Sequence, residues 1–147
     1  MIISSEYIDP INKSKLIVHK NLLFSKKKKY PVIYISGNKI VNFLKDINQD
    51  KFYNKISFYK NYLDWLSSTL RMSLNEIRTE IFNDIKIKKN GKVLFIGCGM
   101  GDEIDFFYKK YKKKTPQIHG QDFSKKFILK TAKKFKNKNI KLTISDA

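Results

Sequence analysis

The residues whose types and spacing are best suited to binding a ligand form a glycine-rich turn. The turn 97–101 reads Gly-Cys-Gly-Met-Gly and directly follows the apolar run Lys92–Ile96. Glycine lets a backbone approach a ligand where any Cβ would collide. Asp122 closes the next apolar run, and Asp146 closes the one after that. Because carboxylates accept hydrogen bonds from hydroxyl and amino groups, this pattern predicts a site for a nucleoside.

Alternating strands and helices must position these residues. The short apolar runs Lys92–Ile96, Gln117–Gln121 and Ile140–Ile144 predict buried strands. The first intervening helix begins with acids and ends with lysines, which complements the helix dipole, and Ser124 is placed to cap the second. The inward face of that second helix would be Phe127, Ile128, Thr131, Ala132 and Phe135. Short connections predict parallel strands whose carboxyl ends meet on one rim.

The residues before this series predict a small β-rich lead-in followed by two helices. The β-like runs, to about Asn48, are Leu16–Val18, Leu22–Phe24, Tyr30–Ile35 and Lys39–Leu44. Apolar spacing predicts a helix over Ile56–Leu70, in which Trp65 should pack in the core. Ser73 and Glu76 form a capping-box pattern for the second helix. The predicted apolar face of that helix is Leu74, Ile77, Ile81 and Ile85.

Three segments, Val93–Gly101, His119–Ser124 and Ser145–Ala147, resemble the first three motifs of class I S-adenosylmethionine-dependent methyltransferases. The resemblance covers about Lys92 to Ala147. It implies an α/β fold containing the first βαβαβ part of a Rossmann-like methyltransferase sheet, incomplete and preceded by the β-rich lead-in and two helices. The implied division is a lead-in over residues 1–50, then a helical lead-in and the first half of the cofactor-binding domain over 51–147. This piece alone is expected to be inactive.

The resemblance also implies roles for individual residues towards S-adenosylmethionine. Gly97 and Gly99 would approach its methionine part. Asp122, expected to be solvated on an open rim, would accept hydrogen bonds from both ribose hydroxyls, and Phe123 would cover one face of the adenine. Asp146 would accept from the adenine amino group beside the Ala147 amide. The implied cofactor-binding residues are Gly97, Cys98, Gly99, Gly101, Asp122, Phe123, Asp146 and Ala147.

Other interpretations stay open at this stage. The glycines could serve only to tighten a turn, and the acids only to cap it. Cys98 is expected to be a small spacer, not a nucleophile, and neither a catalytic residue nor a methyl acceptor is identified. The family usually has an acid where this chain has Phe95, so Asp102 or Glu103 could meet the ammonium group of the cofactor instead, or the chain could be a non-catalytic basic binding module with the same fold.

An NAD(P)-binding domain is the nearest rival among enzymes. The dinucleotide pattern places a third glycine where this chain has Asp102. Asp102 and Glu103 would then repel a pyrophosphate at the helix N-terminus. The sequence therefore favours a cofactor without phosphate groups.

The composition limits the partners. Of 31 basic residues only Arg71 and Arg78 are arginine, and the net charge is +18. A/T-rich codons explain much of the lysine, and the scarcity of arginine argues against sequence-specific recognition of nucleic acid. Binding of RNA or another polyanion without sequence preference stays an alternative explanation of the charge. One cysteine and two histidines predict that no structural zinc is bound. The sequence contains neither a long apolar run nor a signal-peptide pattern, which predicts a cytoplasmic protein without membrane association.

Overall fold

The computed structural model describes residues 2–9, 12–20, 22–25, 28–35, 37–44, 56–136, 138 and 140–146. Ala147 and the predicted domain boundary at residues 50 and 51 lie outside this range. The strands are β1 (Ile2–Ile8), β2 (Lys15–His19), β3 (Leu22–Phe24), β4 (Lys29–Ile35), β5 (Asn38–Asn42), β6 (Lys92–Ile96), β7 (Gln117–Asp122) and β8 (Ile140–Ile144). The helices are α1 (Ile56–Leu70), α2 (Leu74–Asn83), α3 (Asp102–Tyr111) and α4 (Lys125–Lys134), with a short 3₁₀ turn at Lys112–Lys114.

The eight strands of the described residues form one mixed sheet in the order β1-β2-β3-β4-β5-β8-β7-β6. The first five pair successively in antiparallel fashion. β5 then pairs parallel with β8, with Ile40 opposite Leu142, and β8, β7 and β6 are parallel to one another. The sheet curls, since the ring of Tyr7 in β1 lies 6.0 Å from that of His119 in β7, near the other edge.

The predicted fold class is wrong. The resemblance implied an incomplete βαβαβ sheet preceded by a β-rich lead-in and two helices, but the described residues form a strand-rich, eight-stranded mixed sheet. The edge of β8 is paired with β5, which satisfies backbone groups that would otherwise be open to aggregation. Hydrophobic periodicity predicts where a strand runs and not which strand lies beside it. β1 was not predicted, because Ile2–Ile8 does not alternate apolar and polar residues.

The core occupies both sides of the sheet. On one side, α2, α3 and α4 cover the strands with a cluster that includes Phe107, Ile128 and Phe135. On the other, residues of β1 to β5 form a second cluster around Leu16 and Leu23. The predicted inward face of α4 is confirmed, since all five of its residues are buried.

The sequence predicted the ends of the helices more accurately than it predicted which residues of α1 and α2 are buried. Ser73 and Glu76 form the predicted capping box, and the Ser124 side chain accepts a hydrogen bond from the Phe127 amide. Trp65, however, is 60% exposed, so its predicted core position is wrong. Ile81 is also exposed, and Phe82 takes the buried position in α2. Spacing therefore identified the buried face of α4 but placed Trp65 of α1 and Ile81 of α2 wrongly.

Candidate functional site

The glycine turn lies where β6 ends and α3 begins. Gly97, Gly99 and Gly101 have φ angles of +65°, +53° and +76°, in the left-handed region that favours glycine. The Gly101 amide donates to the Cys98 carbonyl over 2.9 Å, and Gly101 occupies the N-cap of α3. The sequence forms this turn because alternate residues lack the Cβ that would make such a conformation costly.

The three glycines face different surroundings. A Cβ on Gly97 would meet nothing within 4 Å, and one on Gly99 would lie 3.7 Å from the Tyr59 hydroxyl. A Cβ on Gly101 would lie 2.8 Å from Thr131 Cγ2, which is too close. Gly101 is therefore required for packing against α4, whereas Gly97 leaves open space that a ligand could occupy.

Both carboxylate oxygens of Asp122 accept hydrogen bonds from backbone amides. Oδ2 accepts from the Gly99 amide and Oδ1 from the Ser124 amide, each over 2.8 Å. Asp122 is only 5% exposed, so the prediction that it is solvated on an open rim is wrong. The carboxylate faces inward because it satisfies two buried amides of the turns that follow β6 and β7.

Gln121 is a site residue that sequence reasoning missed. Its Oε1 accepts from the Gly97 amide over 3.4 Å, and its Nε2 donates to the Ser145 carbonyl. One side chain thus joins the glycine turn to the end of β8. The sequence shows only an amide side chain directly before Asp122. The partners of this side chain, Gly97 and Ser145, follow two other strands, so the bonds could not be predicted from the sequence.

Cys98 turns its side chain into the core. The thiol is buried, and burial, followed by the negative charge of Asp122, raises its pKa to about 12. At neutral pH it is a thiol and not a thiolate, which makes it a poor nucleophile. Its amide donates to the Gln121 carbonyl over 2.9 Å, so Cys98 contributes to the turn through its backbone.

Tyr59 of α1 lies against the turn and was also missed as a site residue. Its half-buried ring lies 6.0 Å from the ring of Phe127, and its hydroxyl faces Gly99. Burial, followed by the negative charges of Glu103 and Asp102, raises the Tyr59 pKa to about 12. Tyr59 therefore provides a neutral hydroxyl beside the glycines. The helical spacing of α1 indicated only packing at this position.

The acids in the first turn of α3 already pair with cations. Asp102 Oδ1 lies 2.5 Å from Lys134 Nζ. Glu103 Oε1 accepts from Arg78 Nη2 over 3.1 Å and from Arg78 Nε over 3.3 Å. An ammonium group on a ligand would have to compete with Lys134 or Arg78 for these carboxylates.

The remaining predicted residues lie at the neighbouring strand ends. Phe123 is half-buried directly after β7. Asp146 is exposed after β8 and lines a concavity of about 370 Å³ with Ile96 and Thr143, on the sheet face away from α3 and α4. Phe95 faces the opposite side, where its ring lies 5.4 Å from that of Phe107 in the core. Gly99 and Asp122 are thus joined directly. Asp146 borders a concavity that is also lined by Gln121, whose side chain is bonded to the Gly97 amide.

No family model matches the chain, and no curated protein matches it. In the part of the chain that the structure describes, no three His, Cys, Asp or Glu side chains are grouped to hold a metal ion. None of the described helices combines the length and apolar character needed to cross a membrane. The absence of zinc and the cytoplasmic location stay predictions.

Proposed function

We propose that the carboxyl ends of β6, β7 and β8 bind S-adenosylmethionine and that the chain serves in methyl transfer. The observation that carries the proposal is the open backbone at Gly97. This residue has a left-handed φ that the fold requires, yet the space where its Cβ would lie is vacant. Proteins with parallel strands bind ligands beyond the carboxyl ends of those strands, which is where this glycine turn lies.

The residues fit the cofactor through backbone more than through side chains. Its methionine part would lie over Gly97 and extend towards Gly99, where the neutral hydroxyl of Tyr59 lies 3.7 Å from the Cβ position. A carboxylate has about four lone-pair positions, and the amides of Gly99 and Ser124 occupy two of those on Asp122. Ribose hydroxyls would take the other two through the small exposed part of that side chain. When bound, the cofactor supplies a methyl group on a sulfonium for in-line transfer, and the turn would hold it in alignment.

A dinucleotide fits this turn less well. Its pyrophosphate would bind at the N-terminus of α3, where Asp102 and Glu103 stand. The phosphates would have to displace Lys134 from Asp102 or Arg78 from Glu103 to gain a cation. The ammonium group of a zwitterionic amino acid would also compete with Lys134 or Arg78, but Asp102 and Glu103 attract its charge, whereas they repel a pyrophosphate.

Calorimetric titration of S-adenosylhomocysteine and of NAD into the 147-residue chain tests the proposal. We expect S-adenosylhomocysteine to bind more tightly than NAD. Gly97→Ala should weaken this binding at least about 10-fold, since a loss of 1.4 kcal/mol corresponds to tenfold. Gly37→Ala is the matched control. Gly37 also has a positive φ, +79°, but precedes β5 at the opposite end of the parallel strands, so its variant carries similar backbone strain and should bind normally.

Three results would contradict the proposal. They are tighter binding of NAD than of S-adenosylhomocysteine, no binding of either, and equal affinities for the Gly97→Ala and Gly37→Ala proteins. Circular dichroism would establish that both variants are folded, since alanine in the left-handed region costs about 1 to 2 kcal/mol.

A further inference from the structure

The end of the sheet opposite the glycine turn carries a concentration of lysines. They come from two segments, the connection between α2 and β6 and the 3₁₀ turn after α3. All of these lysines are exposed. We call them the lysine rim, which consists of Lys86, Lys88, Lys89, Lys92, Lys112, Lys113 and Lys114.

Backbone hydrogen bonds hold the two segments together. The Asn90 amide donates to the Lys114 carbonyl over 2.8 Å, and the Gln117 amide donates to the Gly91 carbonyl over 2.9 Å. The Thr115 hydroxyl is bonded to the Asn90 side chain, and both residues have positive φ angles. The lysines therefore share one surface whose backbone shape is fixed.

The charge of this surface is not neutralised locally. Among the residues that the structure describes, no lysine of the rim takes part in a salt bridge. Asp84 is the only acid in either segment. Asp102 and Glu103 stand at the far end of the ten-residue helix α3, about 15 Å along its axis. That distance exceeds the screening length of about 8 Å at physiological salt.

Lysine-rich composition does not account for this arrangement. A biased composition would raise lysine throughout the chain, whereas here two short segments that lie together, residues 84–92 and 112–114, hold seven exposed lysines and a single acid, Asp84. The helix dipole explains the lysines after α3 and also favours Lys86, two residues beyond the C-cap of α2. It does not reach Lys88, Lys89 and Lys92, which lie farther along the connection and at the start of β6.

We propose that the lysine rim binds the sugar-phosphate backbone of a nucleic acid. A lysine is a strongly hydrated point charge, suited to phosphates and not to the bidentate reading of bases. Several lysines on a fixed surface match a polymer that repeats its phosphates and gains free energy by releasing counterions. The rim lies away from the glycine turn, so this interaction does not depend on the proposed cofactor.

Two variants of equal charge test the location. The rim variant carries Lys88→Gln, Lys89→Gln, Lys113→Gln and Lys114→Gln. The control variant carries Lys15→Gln, Lys60→Gln, Lys130→Gln and Lys133→Gln, all at exposed positions in β2, α1 and α4. Each loses four charges from the net +18. Fluorescence anisotropy would measure binding of a labelled 20-nucleotide RNA, the same DNA strand and its duplex across a range of salt concentrations.

We expect the rim variant to bind the RNA roughly 30- to 600-fold more weakly at 0.1 M salt, because each phosphate contact contributes about 0.7 to the slope of log affinity against log salt. The slope itself should become shallower by up to about 3. The control variant should stay within about fivefold of wild type, as expected for a change in long-range charge only. Comparison of the RNA with the DNA strand shows whether the rim distinguishes ribose from deoxyribose. Comparison of the DNA strand with its duplex shows whether the rim distinguishes single-stranded from double-stranded DNA.

Equal weakening of the two variants would overturn the proposal, since it would mean that net charge alone drives binding. Wild-type affinity in the rim variant would overturn it as well. Anionic phosphatidylserine vesicles serve as the competing polyanion, and vesicle binding without nucleic-acid binding would also count against it. The variants should titrate with S-adenosylhomocysteine as wild type does, which keeps this test separate from that of the cofactor site.

Discussion

At the scale of single residues, Asp122 has a structural role in addition to the ligand-binding role proposed for it. Its position at the end of β7 was predictable from the sequence, and so was that of the glycines. Its two bonds to the Gly99 and Ser124 amides were not, because they depend on how two turns meet. The same holds for Tyr59 and Gln121, whose importance comes from neighbours that are distant in the sequence.

We expect Asp122→Ala to lower the free energy of unfolding by about 2 to 6 kcal/mol. The substitution leaves two buried amide donors without partners, at about 1 to 3 kcal/mol each. Asp146→Ala is the control, because this neighbouring carboxylate is exposed and should change stability by less than about 0.5 kcal/mol. Urea unfolding followed by circular dichroism measures both. An Asp122→Ala protein as stable as wild type would show that these bonds contribute nothing to the fold.

At the scale of elements, local patterns predicted helix ends and most strand positions well, because caps and apolar runs are properties of neighbouring residues. Pairing between strands was not predictable in this way. β5 is the clearest case, since Ile40 enters the core beneath the helices while Val41 enters the core on the other side. Nothing in the sequence of β5 indicates that β8 lies beside it.

Asn38, the first residue of β5, should be important for joining the strands to α4. Its Nδ2 donates to the Ala132 carbonyl over 2.8 Å and lies 3.4 Å from the Phe135 carbonyl, and the side chain is buried. We expect Asn38→Ala to destabilise the protein by about 1 to 3 kcal/mol, because carbonyls at the end of α4 lose their donor. Asn75→Ala, at an exposed position in α2, should change stability by less than about 0.5 kcal/mol. Equal stability of the two variants in urea would contradict this role.

At the scale of the whole molecule, the separation of the two proposed binding sites follows from the direction of the strands. β6, β7 and β8 are parallel, so their connections place the glycine turn at one end and the lysine rim at the other. A cofactor and a polyanion could therefore bind without contacting each other. The glycine motif and the lysines can both be read from the sequence. Only the sheet shows that the glycine turn and the lysine rim lie at opposite ends of the parallel strands.

The single sheet also affects how cooperatively the chain unfolds. The division of the chain at residue 50 stays a prediction, yet β5 and β8 pair across it, and Ile40 shares a core cluster with Ile128. Because breaking either half would expose the edge and core of the other, we expect a single unfolding transition in calorimetry, with equal calorimetric and van't Hoff enthalpies.

Leu16→Ala and Ile128→Ala test this expectation by weakening one core cluster each. Both side chains are fully buried, and such truncations cost about 2 to 5 kcal/mol. Each should lower the midpoint of the same transition by roughly 6 to 15 °C, given about 3 °C per kcal/mol for a chain of this size. If the chain were two independent domains, two peaks would appear, and Leu16→Ala would shift only the one belonging to residues 1–50. One peak that moves in both variants would show that the antiparallel strands β1 to β5 and the parallel strands β6 to β8 fold as a unit.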